Sequence, residues 1–93
     1  MLNKINWKLK YSDKALKEFK KITDAVVKRN ISKLLSLLKN NPFQTPPYFE
    51  KLQEYKNRYS RRINKKHRLV YEVFIVENTV LIISLWGHYD DNW

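Results

Sequence analysis

The sequence has no cysteine, one glycine, three prolines and two histidines in 93 residues. Without cysteine, a disulfide scaffold and a thiolate metal site are excluded. With Gly87 as the single glycine there is no glycine-rich phosphate loop, and kinase, NTPase and dinucleotide-binding chemistries fall with it. His67 and His88 do not stand at ligand spacing and no HExxH pair is present, so no metal is expected. Long apolar runs are also missing: the stretch around residues 80–83 is far too short to cross a bilayer. Residues 1–10 carry lysines and no apolar core, which does not read as a secretory signal. Of the serines, Ser12 reads as a helix cap, Ser32 and Ser36 lie in a helical pattern, and none sits in a nucleophile elbow. A single cytoplasmic domain over residues 1–93 is the expectation, with no cofactor and no membrane partner.

Acidic residues are scarce relative to basic ones. Nineteen Lys and Arg face nine Asp and Glu, for a formal charge of +10 and a pI near 9.9. Self-repulsion of that size is usually offset by a polyanionic partner: nucleic acid, an anionic membrane surface or an acidic protein. The charge is also uneven. Lys51, Lys56, Arg58, Arg61, Arg62, Lys65, Lys66 and Arg68 fall within eighteen residues, opposed only by Glu54, and no Lys or Arg follows Arg68.

The hydrophobic pattern changes period along the chain. From Ile5 to Tyr11, apolar and polar residues alternate, as in a half-buried strand. Ser12 then offers an N-cap, and Ala15, Leu16, Phe19 and Ile22 recur at helical spacing. Thr23 and Asp24 read as a second cap before Val26, Val27, Ile31, Leu34, Leu35 and Leu38, and Pro42 stops that helix. Residues 40–48 form a loop. Three strand-like runs follow, at residues 59–63, 67–76 and 79–86, with turns at 64–66 and 77–78. The expected fold is α+β, in the order β-α-α-β-β-β: a curved antiparallel sheet packed against two N-terminal helices.

What remains for chemistry is a metal-free set of Glu, Arg, His and Tyr. Cleaving RNA without metal requires a base for the 2′-hydroxyl, a cation for the charge developing at phosphorus, and an acid for the leaving 5′-oxygen. Glu50 fits the base, Arg68 and Arg62 the cations, His88 the acid, and Tyr89 an orienting or stacking group. Arg61, Arg62, Lys65 and Lys66 are candidates for binding the RNA backbone. Neighbouring strand residues point to opposite faces, so Arg61 and Arg62 cannot share one, and the hairpin register decides which of them Arg68 joins. His67 reads as structural, at the mouth of the hairpin. Each of these residues also has an ordinary reading: basic side chains protect strand edges, glutamates are mostly exposed, and tyrosines pack.

The run Tyr59-Ser60-Arg61-Arg62-Ile63-Asn64-Lys65-Lys66-His67-Arg68-Leu69-Val70-Tyr71 resembles the SRRI-x-x-x-HRLVY core of the Txe/YoeB branch of RelE/ParE toxins. Asn41-Pro42-Phe43-Gln44-Thr45-Pro46-Pro47 and Phe49-Glu50-Lys51-Leu52 resemble that family's glutamate-bearing segment, and Trp86-Gly87-His88-Tyr89 its terminal His-Tyr pair. The resemblance spans nearly the whole chain in order. It implies the RelE-like fold and a ribosome-dependent mRNA endonuclease that stops translation. It also implies a YefM/Axe-like acidic antitoxin as partner, besides ribosome and mRNA, and makes a homodimer plausible. By position it assigns Glu50 as general base, Arg68 as phosphate stabiliser, His88 as acid and Tyr89 as a catalytic partner, with Arg62 in support.

Two departures stand out. The segment from Glu50 to Arg61 is one residue shorter than in the family pattern, which shifts Glu50 relative to the rest of the set; a misplacement of about an ångström costs about 10²-fold in rate. Asp90-Asp91 follow the His-Tyr pair, placing two carboxylates that repel phosphate and raise the pKa of His88. The alternatives are a ParE-like inhibitor of DNA gyrase without nuclease activity, and an RNA-binding module without chemistry.

Overall fold

The computed structural model describes residues 6–87. Strand β1 (Lys8–Tyr11) leads into helices α1 (Asp13–Lys21) and α2 (Ala25–Asn40). Strands β2 (Phe49–Lys51), β3 (Arg58–Arg62), β4 (Arg68–Phe74) and β5 (Thr79–Gly87) follow.

Local chemistry sets both helix starts. Ser12 Oγ accepts from Ala15 N at 3.0 Å and donates to Ile83 O at 2.7 Å, so one hydroxyl both caps α1 and ties it to β5. Asp24 Oδ1 accepts from Val26 N at 2.8 Å and Val27 N at 3.3 Å, capping α2. After Asn40 the chain turns at Asn41, whose side chain accepts from Phe43 N, and Pro42 prevents another helical turn.

The five strands form one sheet in the order β1-β5-β4-β3-β2. The fold class is the expected one, with two refinements. The four strands β2 to β5 are antiparallel to their neighbours, but β1 runs parallel to β5, pairing Lys8 with Thr79 and Tyr11 with Ile82. Alternation in a sequence reports a half-buried strand and carries no information on its partner or direction. The second refinement is β2, a three-residue strand too short to register as a period, made by its pairing with β3. In addition, β4 ends at Phe74 rather than at Val76. Residues 75–78 are a turn with Asn78 at φ +54°, a left-handed position that Asn tolerates well, and Val76 is 93% exposed.

The core lies between the helices and one sheet face. Ala15, Ile22, Val27, Ile31, Leu34 and Leu38 meet Leu69, Tyr71, Val73, Val80, Ile82 and Leu85. Ala15 is fully buried, and so small a residue brings α1 close to β5. Leu16 and Phe19, expected in the core, flank that contact and stay 48% and 39% exposed. No helix among the described residues is long and apolar enough to cross a membrane.

Candidate active-site cleft

The register of β3 with β4 decides which basic residues meet. Arg62 stands opposite Arg68, Ser60 opposite Val70, and Arg61 opposite Leu69. Arg62 and Arg68 therefore share a face, with side chains at the close spacing of a cross-strand pair. On β2, Glu50 stands opposite Ser60 and joins that same face. Like charges directly opposite each other cost stability, and an anion held between two guanidiniums removes the penalty.

These residues line an open cleft of about 730 Å³. Glu50, Ser60, Arg62, Lys65 and Arg68 meet Asn30 from α2, Pro47 and Tyr48 from the loop before β2, and Ile63 and Asn64 beyond β3. The cleft thus combines a half-buried carboxylate with three cations from the β3–β4 hairpin. The short segment after Glu50 closes as a compact turn, with Leu52 N on Arg58 O at 2.9 Å and Tyr55 N on Leu52 O at 3.1 Å. Glu50 lines the cleft together with Arg62 and Arg68.

Arg61 belongs elsewhere, and its expected place among the RNA-binding cations is corrected. It is 1% exposed, on the opposite face of β3 from Arg62. Its guanidinium donates from Nε to Tyr71 Oη at 3.0 Å and from Nη1 to Pro47 O at 2.7 Å. Nη2 donates to Pro42 O at 3.0 Å and Gln44 O at 2.9 Å. Arg61 therefore ties the 42–47 loop to the sheet, just before the strand that carries Glu50. Phe43 and Phe49 both meet Tyr59 edge-to-face, and the Arg61 charge lies over the Phe49 ring at 4.8 Å. Tyr71 is fully buried, donates to Pro42 O at 3.1 Å, and has its pKa pushed up to about 12 by burial, opposed by the Arg61 charge. The signal for this role was present in the period of two: with Arg62 facing the cleft, Arg61 had to face the other way.

His67, read from its position as structural, is held by its neighbours at the mouth of the hairpin. Its ring stacks on Trp86 with centroids 3.3 Å apart, and its backbone N–H donates to Asn64 Oδ1 at 2.8 Å. Asn64 Oδ1 also accepts from the backbone N–H of Lys66, which sits exposed in the turn and does not line the cleft. Sequence reasoning did not single out Glu18. One oxygen of this α1 carboxylate accepts from Ser84 Oγ at 2.9 Å, Leu85 N at 2.9 Å and Trp86 N at 3.2 Å. At that point two residue steps of β4, from Arg68 to Val70, span three steps of β5, from Gly87 to Ser84, and Glu18 satisfies amides that the irregular ladder does not. His88, Tyr89, Asp90 and Asp91 lie outside the described residues. Among the described residues, no cluster of three or more His, Asp or Glu is placed to hold a metal.

The fold is thus a two-helix α+β arrangement with a mixed five-stranded sheet and a basic, glutamate-bearing cleft. A model of the YoeB-like toxins of bacterial type II toxin–antitoxin systems matches residues 11–89, and the chain belongs to that family. A YoeB dimer from Staphylococcus aureus is 32% identical, with a TM-score of 0.78, over 90% of this chain and 99% of that one. A YoeB–YefM complex from the same organism is 31% identical, with a TM-score of 0.75, over 89% and 98%. The intact RelBE toxin–antitoxin complex of E. coli is 27% identical, with a TM-score of 0.69, over 90% and 98%. Comparison with curated proteins yields no match.

Proposed function

We propose that this toxin is a cytoplasmic, ribosome-dependent mRNA endonuclease. The observation that supports it most is the meeting of Glu50, Arg62 and Arg68 in one cleft, from segments that the sequence keeps apart. Glu50 takes the proton from a 2′-hydroxyl, and the 2′-oxygen attacks the adjacent phosphorus. Arg68 and Arg62 stabilise the charge that builds on the phosphoryl oxygens. The bond from phosphorus to the 5′-oxygen breaks, and His88 gives that oxygen its proton. The products are a 2′,3′-cyclic phosphate and a 5′-hydroxyl. Tyr89 orients the phosphate beside His88, both assigned by their likeness to the family's terminal pair. Lys65 and Lys66, exposed in the β3–β4 turn, bind RNA backbone, and this contact weakens with salt. Arg61 is left out of this set by its burial.

The partner that holds the toxin inactive is a YefM-like acidic antitoxin, which the +10 charge and the likeness to a YoeB–YefM complex support. The likeness to a YoeB dimer supports a homodimer.

The test is inducible expression in bacteria of the wild type and His88→Ala, with mapping of message 5′ ends. Growth arrest with cuts in phase with codons, both lost in the variant, is the expected result. Arrest without message cleavage, unchanged in the variant, overturns the nuclease reading and points to a ParE-like target.

A further inference from the structure

Tyr48 stands out among the aromatic residues of the cleft region. Phe43, Phe49 and Tyr59 pack against one another, whereas Tyr48 is 76% exposed. A large ring left in water gives up the burial that its neighbours enjoy. It is also not at the end of a loose segment. Its preceding carbonyl, Pro47 O, is bound at 2.7 Å by the buried Arg61, and β2 begins at the next residue. A nearly bare aromatic ring is thus held by a fixed backbone on the wall of a cleft that contains Glu50, Arg62, Lys65 and Arg68.

Cations for phosphate beside an exposed ring are the two components of single-strand nucleic-acid recognition: charge tracks the backbone and the ring stacks a base. We infer that Tyr48 forms a nucleobase-stacking subsite that holds the base next to the phosphate seated at Arg62 and Arg68. The inference rests on reading the cleft as an RNA site, and it adds the ligand class for the part of the cleft that the acid–base set leaves unused. Stacking is tolerant of base identity and stronger for larger rings. Tyr48 therefore contributes affinity at every site and a bias toward purines.

Two measurements test this on the intact chain: cleavage of a defined message on programmed ribosomes, and quenching of a single-stranded RNA carrying 2-aminopurine. Wild type, Tyr48→Ala, Tyr48→Phe and Tyr48→Trp are compared. Because the side chain is exposed, all should fold, and thermal unfolding verifies it. The expected result is a loss of about 10- to 100-fold in cleavage for Tyr48→Ala, with the quench abolished and the cut sites less biased to purines. Phe and Trp recover most of both. Unchanged rate, quench and cut-site pattern in Tyr48→Ala overturn the subsite. If wild type cuts no message yet quenches the probe through Tyr48, the subsite stands and the nuclease reading falls. If the quench does not depend on Tyr48, the subsite falls whether or not message is cut.

Discussion

Replacing Arg61 separates a buried architectural residue from a surface RNA contact, because the two roles predict different observables. In Arg61→Met the four hydrogen bonds of the guanidinium disappear. Their loss is not simply additive. Pro42 O keeps the Tyr71 hydroxyl, the Gln44 and Pro47 carbonyls belong to exposed residues that water reaches, and removal of a buried cation relieves its desolvation. With bonds to a charged donor worth about 1.5–3 kcal/mol each and roughly half of that recovered, the net loss is about 3–6 kcal/mol. For a domain of this size that lowers Tm by roughly 15–30 °C. Arg61→Lys keeps the charge, but a single ammonium cannot span three carbonyls and a hydroxyl, so its Tm falls between the two. Thermal unfolding followed by circular dichroism is the assay. A drop of less than about 4 °C in Arg61→Met, the range of an ordinary surface substitution, would refute the architectural role.

Glu18→Ala removes the acceptor shared by Ser84, Leu85 and Trp86, and a stability loss of about 2–4 kcal/mol is expected in urea unfolding. Glu18→Gln retains a carbonyl acceptor and recovers most of it; equal losses in the two variants contradict the capping role. Tyr71 makes a pH prediction. Its pKa is raised from 10.0 to about 12 in the folded state, so its contribution is complete below pH 10 and is lost as pH rises through 12. Unfolding free energy measured against pH should fall more steeply across that window in wild type than in Tyr71→Phe, and parallel curves count against the buried phenol as the cause. Glu50→Gln should lower cleavage by about 10²–10⁴-fold while leaving ribosome binding intact, since it removes the base and no cation. Pelleting with ribosomes beside a cleavage assay checks both, and lost binding contradicts the assignment.

The helices were legible because their signals are local. Ser12 and Asp24 cap within three residues of their partners, and the stripe from Val27 to Leu38 repeats on one helical face. The β3–β4 hairpin was legible for a similar reason: a run at residues 59–63, a polar turn and a run at 67–76 rich in Val, Tyr and Phe need no knowledge of distant residues. That strand β4 stops at Phe74 was not, since Ile75 and Val76 continue the apolar pattern into an exposed turn. Leu16 and Phe19 misled in the same way, because periodicity reports a face and not how closely that face is covered.

The amino-acid sequence by itself determined the class of fold and the run of residues that marks its family. Only the tertiary structure decided that Arg68 pairs with Arg62, that Glu50 reaches the same cleft across β2, and that Arg61 turns inward to hold the loop. The reason is physical. Composition and period are properties of neighbouring residues, whereas register is settled by pairing energies summed along a whole strand. A slip of one residue would have sent Arg62 to the core and Arg61 to the cleft.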